Sequence, residues 1–223
     1  EWEAAHTIWL WPDISASMAY HSHLTPIRKS DRALVIMFAV AEMLVRSGER
    51  VAVMGLTNPS ASRKATTRIA ELLAANLRQH GLTQSTPPPQ RVGRFSSVLW
   101  VSDFLDPIDT IAGRIEELAG NGCTGHLVQV LDPAEETLPF HGRTEFIGIE
   151  DSSRWLTDRA EGLRETYRQR LLAQREALQS LCRKCGWSFL LHHTDRPAAE
   201  LLLHLIIRLR GEPIAAIGKE ASA

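Results

Sequence analysis

The stretch Asp13-Ile14-Ser15-Ala16-Ser17-Met18 places one carboxylate and two hydroxyls at alternate positions, just past an apolar run. Alternate positions of an extended chain face the same side, so these side chains form one oxygen-only cluster. Oxygen donors with few charges suit a hard divalent ion such as Mg²⁺, Mn²⁺ or Ca²⁺, which keeps some of its own waters. A second carboxylate, Asp103, follows another apolar run in Ser102-Asp103-Phe104. Thr67, near the start of a helical pattern, can add a third hydroxyl, with Thr66 as the alternative. Taken singly, Asp13 and Ser15 are ordinary turn formers. Their company with Ser17, Met18 and Asp103 is what points to chemistry.

Three other groupings invite a chemical reading. Cys182 and Cys185 form a C-x-x-C, but the third cysteine, Cys123, is far away in sequence. Inside a helix this spacing reads as a half-buried structural pair, and a zinc site would need His192 or His193. His192-His193-Thr194-Asp195 closes a strand-like run. A hydrolase with Ser15 as nucleophile and His193 as base lacks the Gly-x-Ser-x-Gly elbow that exposes such a serine, so these histidines read as structural. The Arg-rich segment Arg159 to Arg183 is interleaved with Glu161, Glu165 and Glu176. It reads as a solvated helix face with local ion pairs, or as a face that docks a partner.

The elements that must position these groups alternate along the chain. Strand-like runs are Thr7–Trp11, Arg50–Leu56, Ser97–Ser102, Gly125–Leu131 and Trp187–His192, with Thr144–Ile149 as a short edge strand. Helical patterns cover Arg32–Ser47, capped by Ser30 or Asp31, then Thr67–Gln79, Ile108–Leu118, Leu156–Cys185 with a break near Gly162, and Pro197–Arg210. Alternation of this kind predicts an α/β fold, a Rossmann-like, doubly wound, mostly parallel sheet with helices on both faces. Functional groups then gather past the carboxyl ends of the strands. That selects Asp13, Asp103, Asp132 and the His192–Asp195 stretch. Residues 1–210 are expected to form one domain and 211–223 a flexible tail.

Composition narrows the classes. The 223 residues carry 25 Lys and Arg against 26 Asp and Glu. That balance, with no aromatic stripe beside the arginines, argues against a nucleic-acid binder. The longest apolar run, Leu34 to Val45, contains Glu42 and is too short to span a bilayer. Three cysteines make no disulfide framework and suit a reducing compartment, so a cytoplasmic location is expected. The chain opens on Glu1-Trp2-Glu3 rather than Met, which reads as a cut inside a longer protein.

The Asp13-x-Ser15-x-Ser17-Met18 run, a hydroxyl residue opening a later helix, and Asp103 after "VLWVSDF" resemble the metal-ion-dependent adhesion site of von Willebrand factor A domains. Residues 1 to about 210 are similar to one bacterial branch, domain-of-unknown-function family 58. The likeness lies in "EWEAAHTIWLWPDISASM", "RALVIMFAVAEMLVRSGERVAVMGL", "LWVSDFLDP", "LDPAEETLPFHGRTEF" and "GWSFLLHHTDRPAAELLLHLI". The resemblance implies a von Willebrand A-like fold. It implies a divalent metal held by Ser15, Ser17 and Thr67, with Asp13 and Asp103 bound directly or through water. It implies that a partner's acidic residue completes the coordination shell, and that the partner is a MoxR-type AAA+ ATPase served by an adaptor or chaperone-like factor. Two departures stand out: Ala65-Thr66-Thr67 follows Arg63-Lys64 rather than a glycine loop, and the basic, strand-rich segment the family carries before "EWEAAH" is missing. The expected function is a metal-dependent protein-binding module without catalytic residues. The alternatives are a metal-dependent phosphohydrolase, which would lack an Asp-x-Asp nucleophile because its second position is Ser15, and a metal-free structural scaffold.

Overall fold

The computed structural model describes residues 6–80, 84–148 and 153–209. The opening at Glu1 and the expected tail at 211–223 lie outside these residues. In chain order the elements are β1 (Thr7–Pro12), α1 (Lys29–Arg46), β2 (Arg50–Val53), α2 (Ala65–His80), β3 (Ser97–Ser102), α3 (Ile108–Gly120) and β4 (Thr124–Leu131). They continue with α4 (Pro133–Thr137), β5 (Thr144–Ile147), β6 (Arg154–Thr157), α5 (Arg164–Cys185), β7 (Ser188–His193) and α6 (Ala198–Leu209). Five strands form one sheet in the order β2-β1-β3-β4-β7, and every pairing within it is parallel.

Alternation along the strands divides the interior into two layers. Ile8 and Leu10 of β1, Leu99 and Val101 of β3, and Val128 and Val130 of β4 meet α1, α2 and α6 on one face. Trp9 and Trp11, Val98 and Trp100, and Leu127 meet α3 and α5 on the other. Both faces are covered, which is why these strands are continuously apolar. Close approach is enforced at Gly125 of β4: a Cβ there would lie about 2.1 Å from the Trp187 indole.

The expected α/β architecture is therefore present, with several boundaries moved by tertiary contacts. Helix α1 begins at Lys29, not Arg32, and neither Ser30 nor Asp31 caps it. Its first turn is held instead by side chains reaching other elements: Lys29 to Asp103 and Glu135, and Arg32 to the Thr194 carbonyl. Strand β2 stops at Val53 because the chain turns at Gly55, whose φ is +71°. The expected helix Leu156–Cys185 is shorter, starting at Arg164 after a 3₁₀ turn at Ala160–Leu163 that contains Gly162. Its first residues form β6, which pairs antiparallel with β5 as a separate hairpin rather than an edge of the main sheet. Cross-strand stacking of Phe146 on Trp155, ring centroids 5.9 Å apart, favours strand there over helix.

The strand order sets the site. From β1 the chain crosses to β2 on one side, then returns to β3 on the other, so β1 and β3 are neighbours. This is the point where the winding direction reverses, and the crevice beyond the carboxyl ends of such strands is where open α/β sheets bind ligands. Asp13 and Asp103 follow these two strands directly.

Candidate functional site at the carboxyl edge

Three adjacent strands, β1, β3 and β4, each end in an aspartate, and all three aspartates do the same local job. Asp13 Oδ1 accepts the Ser15 amide at 2.8 Å, Asp103 Oδ1 the Leu105 amide at 3.3 Å, and Asp132 Oδ1 the Ala134 amide at 2.8 Å. Each is a short side-chain turn that bends the chain away from its strand. At Asp132 the turn also starts α4, where Asp132 and Glu135 make a reciprocal capping box with Pro133 at the first position.

The second oxygen of each aspartate ties the edge across elements. Asp13 Oδ2 accepts from Ser102 Oγ at 2.6 Å, joining β1 to β3. Asp132 Oδ2 accepts the Ser22 amide at 2.8 Å, joining β4 to the loop after β1. Asp103 Oδ2 accepts from Lys29 Nζ at 2.8 Å, and the same ammonium donates to Glu135 Oε1 at 2.6 Å. Lys29 is 1% exposed and its ammonium also lies 5.8 Å from the centroid of the Tyr20 ring. Thus β3, α1 and α4 converge on one buried positive charge.

Phe104 marks how tightly this edge is determined. It adopts a left-handed backbone, φ 52°, which costs a side-chain-bearing residue on the order of 1 kcal/mol or more. Ser102 Oγ accepts its amide at 3.1 Å while donating to Asp13, and Gln174 Nε2 donates to its carbonyl at 3.2 Å. Its ring lies against Trp100, centroids 5.1 Å apart. Burial removes water from the Asp13 carboxylate and raises its pKa to about 6, although the bonds from Ser102 and Ser15 pull the other way.

Of the five residues expected to ligate a metal, the structure brings Asp13, Ser15, Ser17 and Asp103 to this edge and leaves Thr67 elsewhere. Ser15 Oγ lies 3.3 Å from Ser17 Oγ. Thr67 is exposed on the first turn of α2 and shares a cleft of about 930 Å³ with Val51 and Ser60. Val51 pairs with Ile8 at the beginning of β1, five residues before Asp13, so Thr67 sits toward the other end of the sheet. The alternative, Thr66, donates to Glu42 Oε2 at 2.8 Å, on the late part of α1.

Charge decides whether the remaining donors suit a divalent ion. An ion bound to the same Asp103 oxygen as Lys29, Oδ2, would lie about 4 Å from the ammonium. At an effective dielectric of about 20 the repulsion would be roughly 8 kcal/mol, poorly screened because the ammonium is buried. With Asp103 Oδ2 committed to Lys29 and Thr67 distant, the five residues do not fit a divalent metal bound directly by the whole set. Among the described residues, no three His, Cys, Asp or Glu side chains are grouped to hold one.

Sequence reasoning missed Lys29, Ser102, Glu135 and a second network beside them. Gln129, fully buried, donates to the Asp103 carbonyl at 2.9 Å and accepts from Arg175 at 3.3 Å. Arg175 forks onto both oxygens of Glu136, at 3.0 and 2.7 Å, and His193 reaches the same carboxylate at 3.2 Å. One signal was readable: Asp132-Pro133-Ala134-Glu135 has the spacing of a capping box. Lys29 carried none, because a lysine before a helix reads as solvated. His192 is buried and burial lowers its pKa to about 4, so it is neutral at pH 7. Cys182 is buried and Cys185 half-buried, both as free thiols, as a structural pair in a helix requires.

With this geometry in place, comparison with other proteins adds the following. The family model described as "Protein of unknown function DUF58" matches residues 1–177. No curated protein matches the chain. Among solved structures, the conserved hypothetical protein BatB from Bacteroides thetaiotaomicron is 12% identical, with 94% of this chain and 100% of that one covered and a TM-score of 0.45. An aerotolerance-related membrane protein from Bacteroides fragilis, carrying multiple mutations to serine, is 15% identical over 92% of this chain and 100% of that one, TM-score 0.45. An uncharacterised membrane-spanning protein from Vibrio fischeri is 14% identical over 92% and 98%, TM-score 0.22. No helix among the described residues of this chain is long and apolar enough to cross a membrane.

Proposed function

This chain belongs to the DUF58 family, proteins of unknown function, and from that premise we propose that it is a protein-binding module that docks its partner on the carboxyl edge of the parallel sheet. One observation carries the reading. The strand-end carboxylates are spent on bracing the edge: Asp13 on Ser15 and Ser102, Asp103 on Leu105 and Lys29, Asp132 on Ala134 and Ser22. Each of these aspartates already has both oxygens accepting from the chain's own groups, which supports recognition over catalysis. Among the residues the braced loops hold outward are two leucines. Leu24 and Leu105 are 46% and 44% exposed, on the turns next to Ser22 and Asp103.

The partner class comes from the resemblance to the family, a MoxR-type AAA+ ATPase with this chain as its adaptor. The form of binding proposed needs no divalent ion, since the anchors assigned to it, Leu24 and Leu105, are apolar. The two exposed leucines, on turns braced by hydrogen bonds, supply the apolar area that this reading assigns to the contact.

The test is capture of a MoxR-type ATPase by the full chain, with and without chelator. Capture is expected to survive chelation and to fall at least tenfold in Leu24→Asp/Leu105→Asp. Release by chelator, or full capture by that double variant, would overturn the reading. A phosphoesterase activity that vanishes in Asp13→Ala would instead point to catalysis.

A further inference from the structure

We propose that Lys29 is the resident cation of this edge: its ammonium takes up Asp103, a carboxylate that a metal-ion-dependent site would use, and excludes divalent ions from it. The argument is geometric. Lys29 enters from the first turn of α1, and its Nζ bridges Asp103 Oδ2 at 2.8 Å and Glu135 Oε1 at 2.6 Å. Two carboxylates and one ammonium, with side chains 1%, 2% and 14% exposed, make a closed group. A divalent ion does the same work in an oxygen site by drawing carboxylates from separate elements onto one centre. Here the centre is covalently attached to α1, so it does not exchange.

The consequence is a latent cation site. Removing the ammonium leaves Asp103 and Glu135 facing each other in a buried space, with Asp13 and the Ser15–Ser17 hydroxyl pair on the neighbouring loop. Uncompensated buried carboxylates attract a hard cation, because the alternative is to take up protons or unfold. An ammonium also differs from a metal in what it can offer a partner. Two of its three hydrogens are on the chain's own acids and its side chain is 1% exposed, so it offers no open coordination position to an outside carboxylate. This inference stands apart from the docking reading, since it concerns only what fills the space beside Asp103.

The probe is Mn²⁺, added to the metal-free chain. In the unsubstituted chain, paramagnetic broadening of amide resonances should show no selective effect at residues 13–17 and 103–105. In Lys29→Ala, Mn²⁺ should bind saturably by calorimetry, at least tenfold tighter than to the unsubstituted chain. It should also raise the Tm of that variant and not that of the unsubstituted chain. If Lys29→Ala does not fold without metal, Lys29→Ser, which keeps both carboxylates and restores one hydrogen-bond donor to them, serves with the same readouts. Selective broadening at residues 13–17 and 103 in the unsubstituted chain would overturn the proposal. So would a folded variant with no gain in Mn²⁺ affinity. Failure here leaves the capture experiment with the leucine variants unaffected, so the two readings fail separately.

Discussion

Lys29 Nζ and Asp103 Oδ2 lie 2.8 Å apart, and neither side chain is more than 2% exposed. Both charges have lost their water, so each depends on the other and on Glu135 for compensation. Breaking such a pair from one side strands the remaining charge. Lys29→Met is expected to lower unfolding free energy by about 3–5 kcal/mol, measured by urea denaturation at pH 7. A loss under about 1 kcal/mol would mean the pair behaves as a surface contact.

Asp13 gives a pH signature. Its folded pKa is about 6, above the ordinary aspartate value of 3.8, because burial disfavours the charged form. The folded state therefore holds this proton more tightly than the unfolded state. That contribution is fully present below about pH 4 and is lost as pH rises through about 6. Asp13→Asn carries no such loss. The stability difference between Asp13→Asn and the unsubstituted chain should move in favour of the variant, by on the order of 3 kcal/mol, between pH 4 and pH 7. A difference that is flat across this range would show that Asp13 is well solvated.

Two histidines press in the opposite direction. Burial lowers the pKa of both His126 and His192 to about 4, from the ordinary histidine value of 6.5. Their contribution is present above about pH 6.5 and is lost as pH falls through about 4. His192→Gln should flatten the acid limb of the stability profile, read as a smaller drop in Tm between pH 6.5 and pH 4 than in the unsubstituted chain.

Gly125 lies under the Trp187 indole, with about 2.1 Å left for a Cβ. The rigid ring is itself buried and donates from Nε1 to the Cys123 carbonyl at 3.1 Å. Gly125→Ala should destabilise by about 1–3 kcal/mol through overpacking. Gly113→Ala, on an open helix position, should be neutral or slightly stabilising in the same urea series.

Thr67 separates the positions on the sheet. Because it is exposed on α2, Thr67→Ala should change stability by no more than about 0.5 kcal/mol. It should leave partner capture unchanged. Loss of capture in Thr67→Ala with an unchanged Tm would bring the α2 end of the sheet into the binding surface.

Much of the frame was legible because it follows from periodicity. Continuous apolar runs such as Ser97–Ser102 and Gly125–Leu131, alternating with amphipathic helices, permit little other than a covered parallel sheet. What escaped was set by distant partners. Nothing local distinguishes Arg154–Thr157 from the helix that follows; its strand state depends on pairing with Thr144–Ile147. The helical periodicity of α1 was plain, yet its first turn is fixed by Lys29 and Arg32 reaching β3, α4 and the end of β7.

The same division runs through the site. Sequence alone determined that Asp13 and Asp103 end strands, since an acid after an apolar run has to leave the sheet there, and that the hydroxyls of Ser15 and Ser17 stand beside Asp13. It could not determine what those carboxylates face. Strand order brought β1 next to β3 and so joined Asp13 to Ser102. Burial then decided the rest: a charge inside needs an opposite charge within contact distance, and the fold supplied Lys29 to Asp103. Thr67 was removed by the same topology, since α2 begins near the opposite end of the sheet. Spacing along a chain can nominate ligands, but the balance of charge around them exists only after the elements have packed.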